Sequence, residues 1–348
     1  MSRRRPAASA LACALALAAG PGVRAAPPQA VHDVRPAQVA PDVQAAQAAP
    51  PAPQPRADAT TLDYRLAARA LAPGVYVVEG ANADFTRANG CNIINTGFIV
   101  GRDGVLVVNT GPSRRYGEQL RALIARTTPL PVTQVLHLNL HPDYFLGNQA
   151  FADVPRAATA ATLEGMRAEA RAYEDNLYRA CGDWMKGTEA LLPDRGVAAG
   201  PLVLAGRRLE LRELRGHTAS DLVLLDVESG VLFTGGLVFV QRVPTTPHAE
   251  LAAWLASLDA LEREPIRTLV PSHGPVAVDA RGIGQTRRYL LWLDRSFAAA
   301  AERGLELHEL LAQPVPEEFR GWAAFDTEYP RNVARLYPRY EARALRAP

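Results

Sequence analysis

The sequence predicts an α/β fold in which two β-sheets pack together with helices on their outer faces. Two observations carry that reading. The order strands, helix, strand occurs twice along the chain, and each pass ends on histidines in a turn-rich segment. In each pass a turn signal separates two apolar runs, Arg102-Asp103-Gly104 first and Glu228-Ser229-Gly230 second. Such runs around such turns form antiparallel hairpins.

The elements follow in order. Gly74-Val-Tyr-Val-Val-Glu79 reads as a strand, and Ile93 to Val100 with Val105 to Val108 as the first hairpin. Gly111-Pro112-Ser113 opens a helix: Pro112 suits its first turn, and Leu120, Leu123 and Ile124 form its apolar stripe. Val132 to Leu138 is the next strand. Ala161 to Ala180 reads as a surface helix, with acids and arginines on a solvated face. Arg207 to Leu214 is a strand, and Leu222 to Leu225 with Val231 to Phe233 make the second hairpin. Thr246-Pro247 resembles a cap and first position of a helix through Leu261, and Ile266 to Pro271 is a strand that leads to His273. Beyond Arg281 the chain reads as helices, with Tyr289, Leu290, Leu291 and Trp292 packing on the domain.

The N-terminus of this 348-residue chain has a different character. Arg3-Arg4-Arg5, an apolar run from Ala7 to Ala19, and small residues through Ala25 make a secretory signal over residues 1–25. An anchor is disfavoured, because about 13 apolar residues fall short of the roughly 20 a span needs. Pro6 argues against a twin-arginine signal, and Ala10-Leu11-Ala12 before Cys13 is a poor lipoprotein match. Residues 26–61 are nearly all Ala, Pro, Gln and Val, too poor in large apolar groups to bury a core, and read as a tether. Residues 62–280 suit one sizeable domain and 281–348 a helical extension packed on it. The expected location is therefore periplasmic, with no membrane span after signal cleavage. The net charge of +2, with scattered basic residues, gives no footprint for nucleic acid. After cleavage Cys91 and Cys181 remain, and an oxidising location permits a bridge between them without requiring one.

The chemistry concentrates in Val135-Leu-His-Leu-Asn-Leu-His-Pro-Asp-Tyr-Phe-Leu-Gly-Asn148. Side chains alternate along a strand, so His137, Asn139 and His141 share a face, with Asp143 in the following turn. Imidazole and carboxylate together are zinc donors, and zinc with an open position activates water at neutral pH. His217, in Gly216-His217-Thr218, and His273, in Pro271-Ser272-His273-Gly274-Pro275, also follow strands. Each alone reads equally well as an ordinary loop histidine. With His141 and Asp143 they give three imidazoles and one carboxylate. His32 lies in the tether, His308 in a polar helix, and His248 at a helix start suited to capping or exposure.

Over about Val75 to Val276 the chain resembles the metallo-β-lactamase superfamily, an αββα sandwich of two mixed β-sheets flanked by helices. More narrowly it resembles the exported branch called quinoprotein relay system zinc metallohydrolase 1. The phrases that carry the resemblance are Asn95-Thr-Gly-Phe-Ile-Val100, Asn109-Thr-Gly-Pro-Ser-Arg-Arg-Tyr-Gly-Glu-Gln119, Leu146-Gly-Asn-Gln-Ala-Phe151 and Thr245-Thr-Pro-His-Ala249. The superfamily signature His-x-His-x-Asp-His falls on Asn139, His141, Asp143 and Tyr144. The resemblance implies a first metal on Asn139, His141 and His217, and a second on Asp143, Tyr144 and His273. It places a bridging Asp at Gly236 and a supporting Asp at Asn109.

Four positions thus depart from the pattern. Gly236 offers no side chain to neutralise two dications, which would repel strongly. Asn139 is a poor zinc ligand, and Tyr144 binds well only after losing a proton of pKa about 10. Asn109 accepts an imidazole N–H less strongly than a carboxylate does. One zinc on His141, Asp143, His217 and His273 is the reduced site this leaves, with His137 a candidate substitute for Asn139. The first reading is then a periplasmic hydrolase of unknown small-molecule substrate, attacking a carbonyl or ester with zinc-activated water while Asp143 or His273 handles protons. The second is a degenerate member that binds a small molecule, or a periplasmic quinoprotein or cytochrome partner, in the old cleft. The third is a tethered structural protein.

Overall fold

The computed structural model describes residues 57–346. The expected signal and most of the expected tether lie outside the described residues. The first sheet runs in chain order through β1 (Arg69–Ala72), β2 (Val75–Val78), β3 (Thr96–Val100), β4 (Val105–Val108), β5 (Val132–Leu136), β6 (Arg156–Ala158) and β7 (Arg195–Gly196). The second holds β8 (Gly200–Leu204), β9 (Arg207–Leu214), β10 (Asp221–Asp226), β11 (Val231–Phe233), β12 (Thr268–Val270) and β13 (Ala277–Val278), again with chain neighbours adjacent.

One unit occurs in both sheets. The hairpin β3–β4 is followed by α1 (Arg114–Thr127) and by β5, parallel to β4. The hairpin β10–β11 is followed by α4 (Leu251–Leu261) and by β12, parallel to β11. Parallel neighbours need such a crossover. The expected fold class is the observed one: two mixed sheets flanked by helices.

Strand side chains sort by the period of two. In β4, Val105 and Val107 join the outer core under α1 and α3 (Ala160–Cys181), while Leu106 and Val108 join the core between the sheets. In β10, Leu222 and Leu224 face the other sheet, whereas Val223 and Leu225 pack with Trp254 and Leu258 of α4. Both faces are covered, which is why these strands are continuously apolar. Each such side chain contributes about 1.5–3 kcal/mol when fully buried.

The remaining helices are α2 (Pro142–Phe145), α5 (Arg281–Glu302), α6 (Leu307–Leu311), α7 (Glu317–Arg320) and α8 (Phe325–Ala344). Tyr289, Leu290 and Phe297 of α5 pack with Val333, Tyr337 and Tyr340 of α8 in the outer core of the second sheet. Leu291 and Trp292 are only partly buried. α1 starts two residues after Pro112, because Ser113 caps it by accepting the Tyr116 N–H at 3.1 Å. Cys91 and Cys181 form a disulfide, with Cα atoms 6.0 Å apart, that ties the segment before β3 to the end of α3. Among the described residues no helix is long and apolar enough to cross a membrane.

Candidate functional site

The histidines gather where strands end. β5 stops at Leu136, and five residues later His141 immediately precedes the short α2. His217 follows β9, and His273 follows β12. Clefts outside the carboxyl ends of strands are where α/β sheets usually place ligands. Asn109, just after β4, takes a left-handed conformation (φ 59°) that asparagine tolerates. Its Oδ1 accepts the Leu138 N–H at 3.0 Å, so it fixes the backbone entering the site rather than an imidazole.

Asp143 and His273 face each other. His273 Nδ1–H donates to the Ile93 carbonyl at 2.8 Å, which leaves the lone pair on Nε2. That Nε2 lies 3.6 Å from Asp143 Oδ2, a buried oxygen with no hydrogen-bond partner. Burial pushes the Asp143 carboxyl up to about 7, opposed by a backbone N–H and by the Arg242 guanidinium. Burial, helped by Arg242, holds His273 well below the ordinary imidazole range. Arg242 is itself fully buried, with Nε donating to the Ala83 carbonyl.

Asn139 stands in a closed polar network. Its Nδ2 donates to Asp221 Oδ1 at 2.6 Å and lies 3.4 Å from His217 Nδ1, while its Oδ1 accepts the His141 N–H at 3.0 Å. Asp221 Oδ2 accepts the backbone N–H groups of His217 and Thr218 at 3.1 and 2.9 Å. His217 Nε2 is 3.2 Å from Thr245 Oγ1, and its ring is boxed by His141, Trp254 and Phe239. Gly236 borders this network so closely that a Cβ there would stand 2.1 Å from His217 Nδ1.

His141 adjoins His217, their ring centroids 4.6 Å apart, and its Nε2 lies 3.2 Å from His248 Nδ1. Burial, and then its histidine neighbours, hold it well below the ordinary range. His248 therefore neither caps α4, which begins at Leu251, nor points freely into solvent. Its Nε2 faces Glu169 of α3 at 3.8 Å, so the helix expected to be a plain solvated surface turns one carboxylate toward the site. Tyr144 points elsewhere: its hydroxyl pairs with Ser272 Oγ at 2.6 Å, and burial raises its pKa well above the ordinary value. His137 bonds the Tyr144 carbonyl through Nδ1 at 3.2 Å and is pushed down to about 3 by burial. Its observed partner is that backbone carbonyl, and its ring does not stand in for Asn139.

Among the described residues no three His, Cys, Asp or Glu side chains converge on one point. Two adjacent ions do not fit, because His217, Asn139 and Asp221 fill the space beside Gly236 where a bridge would stand. One ion fits better. The orphaned Asp143 Oδ2 and the lone pair of His273 Nε2 are two donors of the zinc type. Sequence reasoning missed Asp221, His248 and Glu169. The first had one signal, its position four residues after His217 at the start of a strand.

Comparison with known proteins agrees with this architecture. No curated protein matches the chain. A metallo-β-lactamase from Pontibacter korlensis superposes with a TM-score of 0.52 at 22% identity, covering 65% of this chain and 99% of that one. The structure of TMB-1 gives a TM-score of 0.51 at 17% identity, covering 66% and 98%. These likenesses are of fold. The family model described as the metallo-beta-lactamase superfamily matches residues 89–273, more than half of the sequence and every candidate ligand. The chain belongs to the metallo-β-lactamase superfamily.

Proposed function

We propose that the protein is an exported metallo-β-lactamase-fold hydrolase with a reduced site for one divalent ion, serving a periplasmic quinoprotein oxidation system. The observation that carries the reading is the buried, unpartnered Asp143 Oδ2 facing the His273 nitrogen left free by the Ile93 carbonyl. A buried acceptor without a partner costs about 1–3 kcal/mol, more if charged, and an ion removes that cost. Asp143 and His273 would hold zinc, which supplies a Lewis acid for a carbonyl or ester and lowers the pKa of water toward about 7. His273 presents one fixed tautomer, its Nδ1–H held by the Ile93 carbonyl and its Nε2 lone pair left free. Phe239 packs against the rings of both His217 and His273 and excludes water from that side.

The disulfide supports an oxidising location, where such bridges persist. The quinoprotein association rests on the sequence phrases quoted above. The closed Asn139–His217–Asp221 network favours a second reading, a member that binds a ligand without turnover. Metal analysis of the purified protein separates them. About one zinc per chain, lost in His273→Ala and Asp143→Ala, is expected, and a chain with only a trace of zinc overturns the hydrolase reading.

A further inference from the structure

The helix α8 lies outside the stretch matched by the superfamily model, residues 89–273, yet it supports one rim of the site. Asn332 accepts the Thr246 hydroxyl at 2.7 Å and donates to the Pro244 carbonyl at 2.8 Å. Arg339 donates to the Ala249 carbonyl and to Glu250, each at 2.9 Å. α8 thus clamps the segment that carries His248 at both ends. Residues three and four apart share one side of a helix, so Arg335, between Asn332 and Arg339, lies over the middle of that segment. From there the rings form a continuous row. Centroids stand 5.4 Å apart from His248 to His141, 4.6 Å to His217, 5.5 Å to Phe239 and 5.0 Å to His273. The His248 side chain, 32% exposed, is the solvent end of the row, and His273, 5% exposed, is its buried end.

Arg331, Arg335, Arg339 and Arg343 recur every fourth residue along α8. Three of them are engaged: Arg331 pairs with Asp84 and Glu328, Arg339 pairs with Glu250, and Arg343 lies over the Tyr340 ring at 4.3 Å. Arg335 is exposed and makes no hydrogen bond or ion pair among the described residues. The carboxylates along this rim are already taken, Glu250 by Arg339, Glu328 by Arg331 and Glu169 by His248. Burial first, then charged neighbours that include Arg335, hold His141 and His248 below the ordinary imidazole range, so the guanidinium is felt at both rings. An open guanidinium binds a carboxylate or phosphate through two parallel N–H groups, and a row of arginines draws anions toward it. We propose that Arg335 recognises an anionic group, carboxylate or phosphate, on the molecule this site acts on; the link to catalysis rests on the hydrolase reading above. The C-terminal extension then selects the substrate, while the superfamily domain carries the chemistry.

The test is anion binding by the full purified chain, followed by nuclear magnetic resonance of isotope-labelled histidine. The chain is held in chelator at constant ionic strength and about pH 8, above the ordinary imidazole range, and titrated separately with inorganic phosphate and with succinate. The His248 signal, identified by its loss in His248→Gln, should shift saturably, while that of the exposed His308 stays in place. Arg335→Gln should weaken the binding at least about tenfold, the loss expected for a charge-assisted pair. Arg335→Lys should recover part of it, because lysine keeps the charge and loses the fork. Arg335 is exposed and bonds nothing, so neither substitution disturbs the fold. The anion that binds more tightly identifies the group recognised. No saturable shift with either anion, or an Arg335→Gln chain that binds as tightly as the unaltered one, overturns the proposal and leaves the metal reading standing. Saturable binding by a chain that takes up no zinc upholds the anion site in a member that binds without turnover.

Discussion

Gly236→Asp restores the carboxylate that the superfamily pattern calls for, and in this protein it should destabilise the fold instead of rebuilding a centre. A Cβ at Gly236 would lie 2.1 Å from His217 Nδ1, 2.6 Å from Asn139 Nδ2 and 2.7 Å from Asp221 Oδ1. Ordinary contact starts at 3.4 Å, so the His217 ring would have to retreat by more than an ångström. It has nowhere to go, with Trp254, Phe239 and His141 around it and no exposed surface. Overpacking of this kind costs about 1–3 kcal/mol. The new carboxylate would also enter beside Asp221, and a buried charge without a partner costs about 3–5 kcal/mol more. A loss near the low end, about 4 kcal/mol, lowers Tm by roughly 8 °C in a domain of this size. Calorimetry in chelator, with Gly236→Ala to isolate the steric part, measures both terms. Gly236 is absent from the positive-φ positions, so backbone strain does not confuse the comparison. If Gly236→Ala melts within about 1 °C of the unaltered protein, under the ~2 °C expected for 1 kcal/mol, the network yields freely and the argument for a closed first-metal position fails.

Other consequences follow from the same groups. Asp143 titrates at about 7 when folded against an ordinary 3.8, so the folded chain holds an extra proton between those values. That contribution is full below the unfolded value and is lost as pH rises through 7. Asp143→Asn should therefore be the more stable protein at pH 8 in chelator by up to about 4 kcal/mol, and the gap should close in urea melts at pH 4. His137 runs the other way: its folded value of about 3 lies below the ordinary 6.5, so it contributes stability above pH 6.5 that is lost as pH falls toward 3. A urea-melt series of His137→Gln from pH 7 to 4 should show a shallower decline than the parent. Asp221→Ala should cost at least 3 kcal/mol by urea melts, since it strands the Asn139 amide and two backbone N–H groups. Replacing Cys91 and Cys181 by alanine opens a loop of 90 residues and should cost about 4–5 kcal/mol by chain entropy, read as a fall in the urea midpoint.

The fold was legible because local pattern and tertiary burial agree. The apolar runs around Arg102-Asp103-Gly104 and Glu228-Ser229-Gly230 became hairpins, and Leu120, Leu123 and Ile124 became the buried stripe of α1. Boundaries were less legible. The strand expected to reach Leu138 ends at Leu136, because Leu138 N–H turns aside to Asn109. The site was legible only as far as residue type and strand ends carry information. His141, Asp143, His217 and His273 were found that way, and the structure brings Asp143 to His273 and His141 to His217. His248 was not, because its partner lies 107 residues away and its placement depends on α8 clamping the segment that carries it. The Asn139–Asp221 contact, across 82 residues, is equally invisible to any local pattern.

The disulfide has a consequence beyond stability. Cys91 is two residues from Ile93, whose carbonyl fixes the His273 ring, and Cys181 ends the helix that presents Glu169 to His248. One covalent tie thus braces the supports of two imidazoles, His273 and His248. Reducing it would leave every candidate ligand in the chain while loosening the jig that aims them. The redox condition in which the protein matures therefore sets the alignment of the site as well as the strength of the fold.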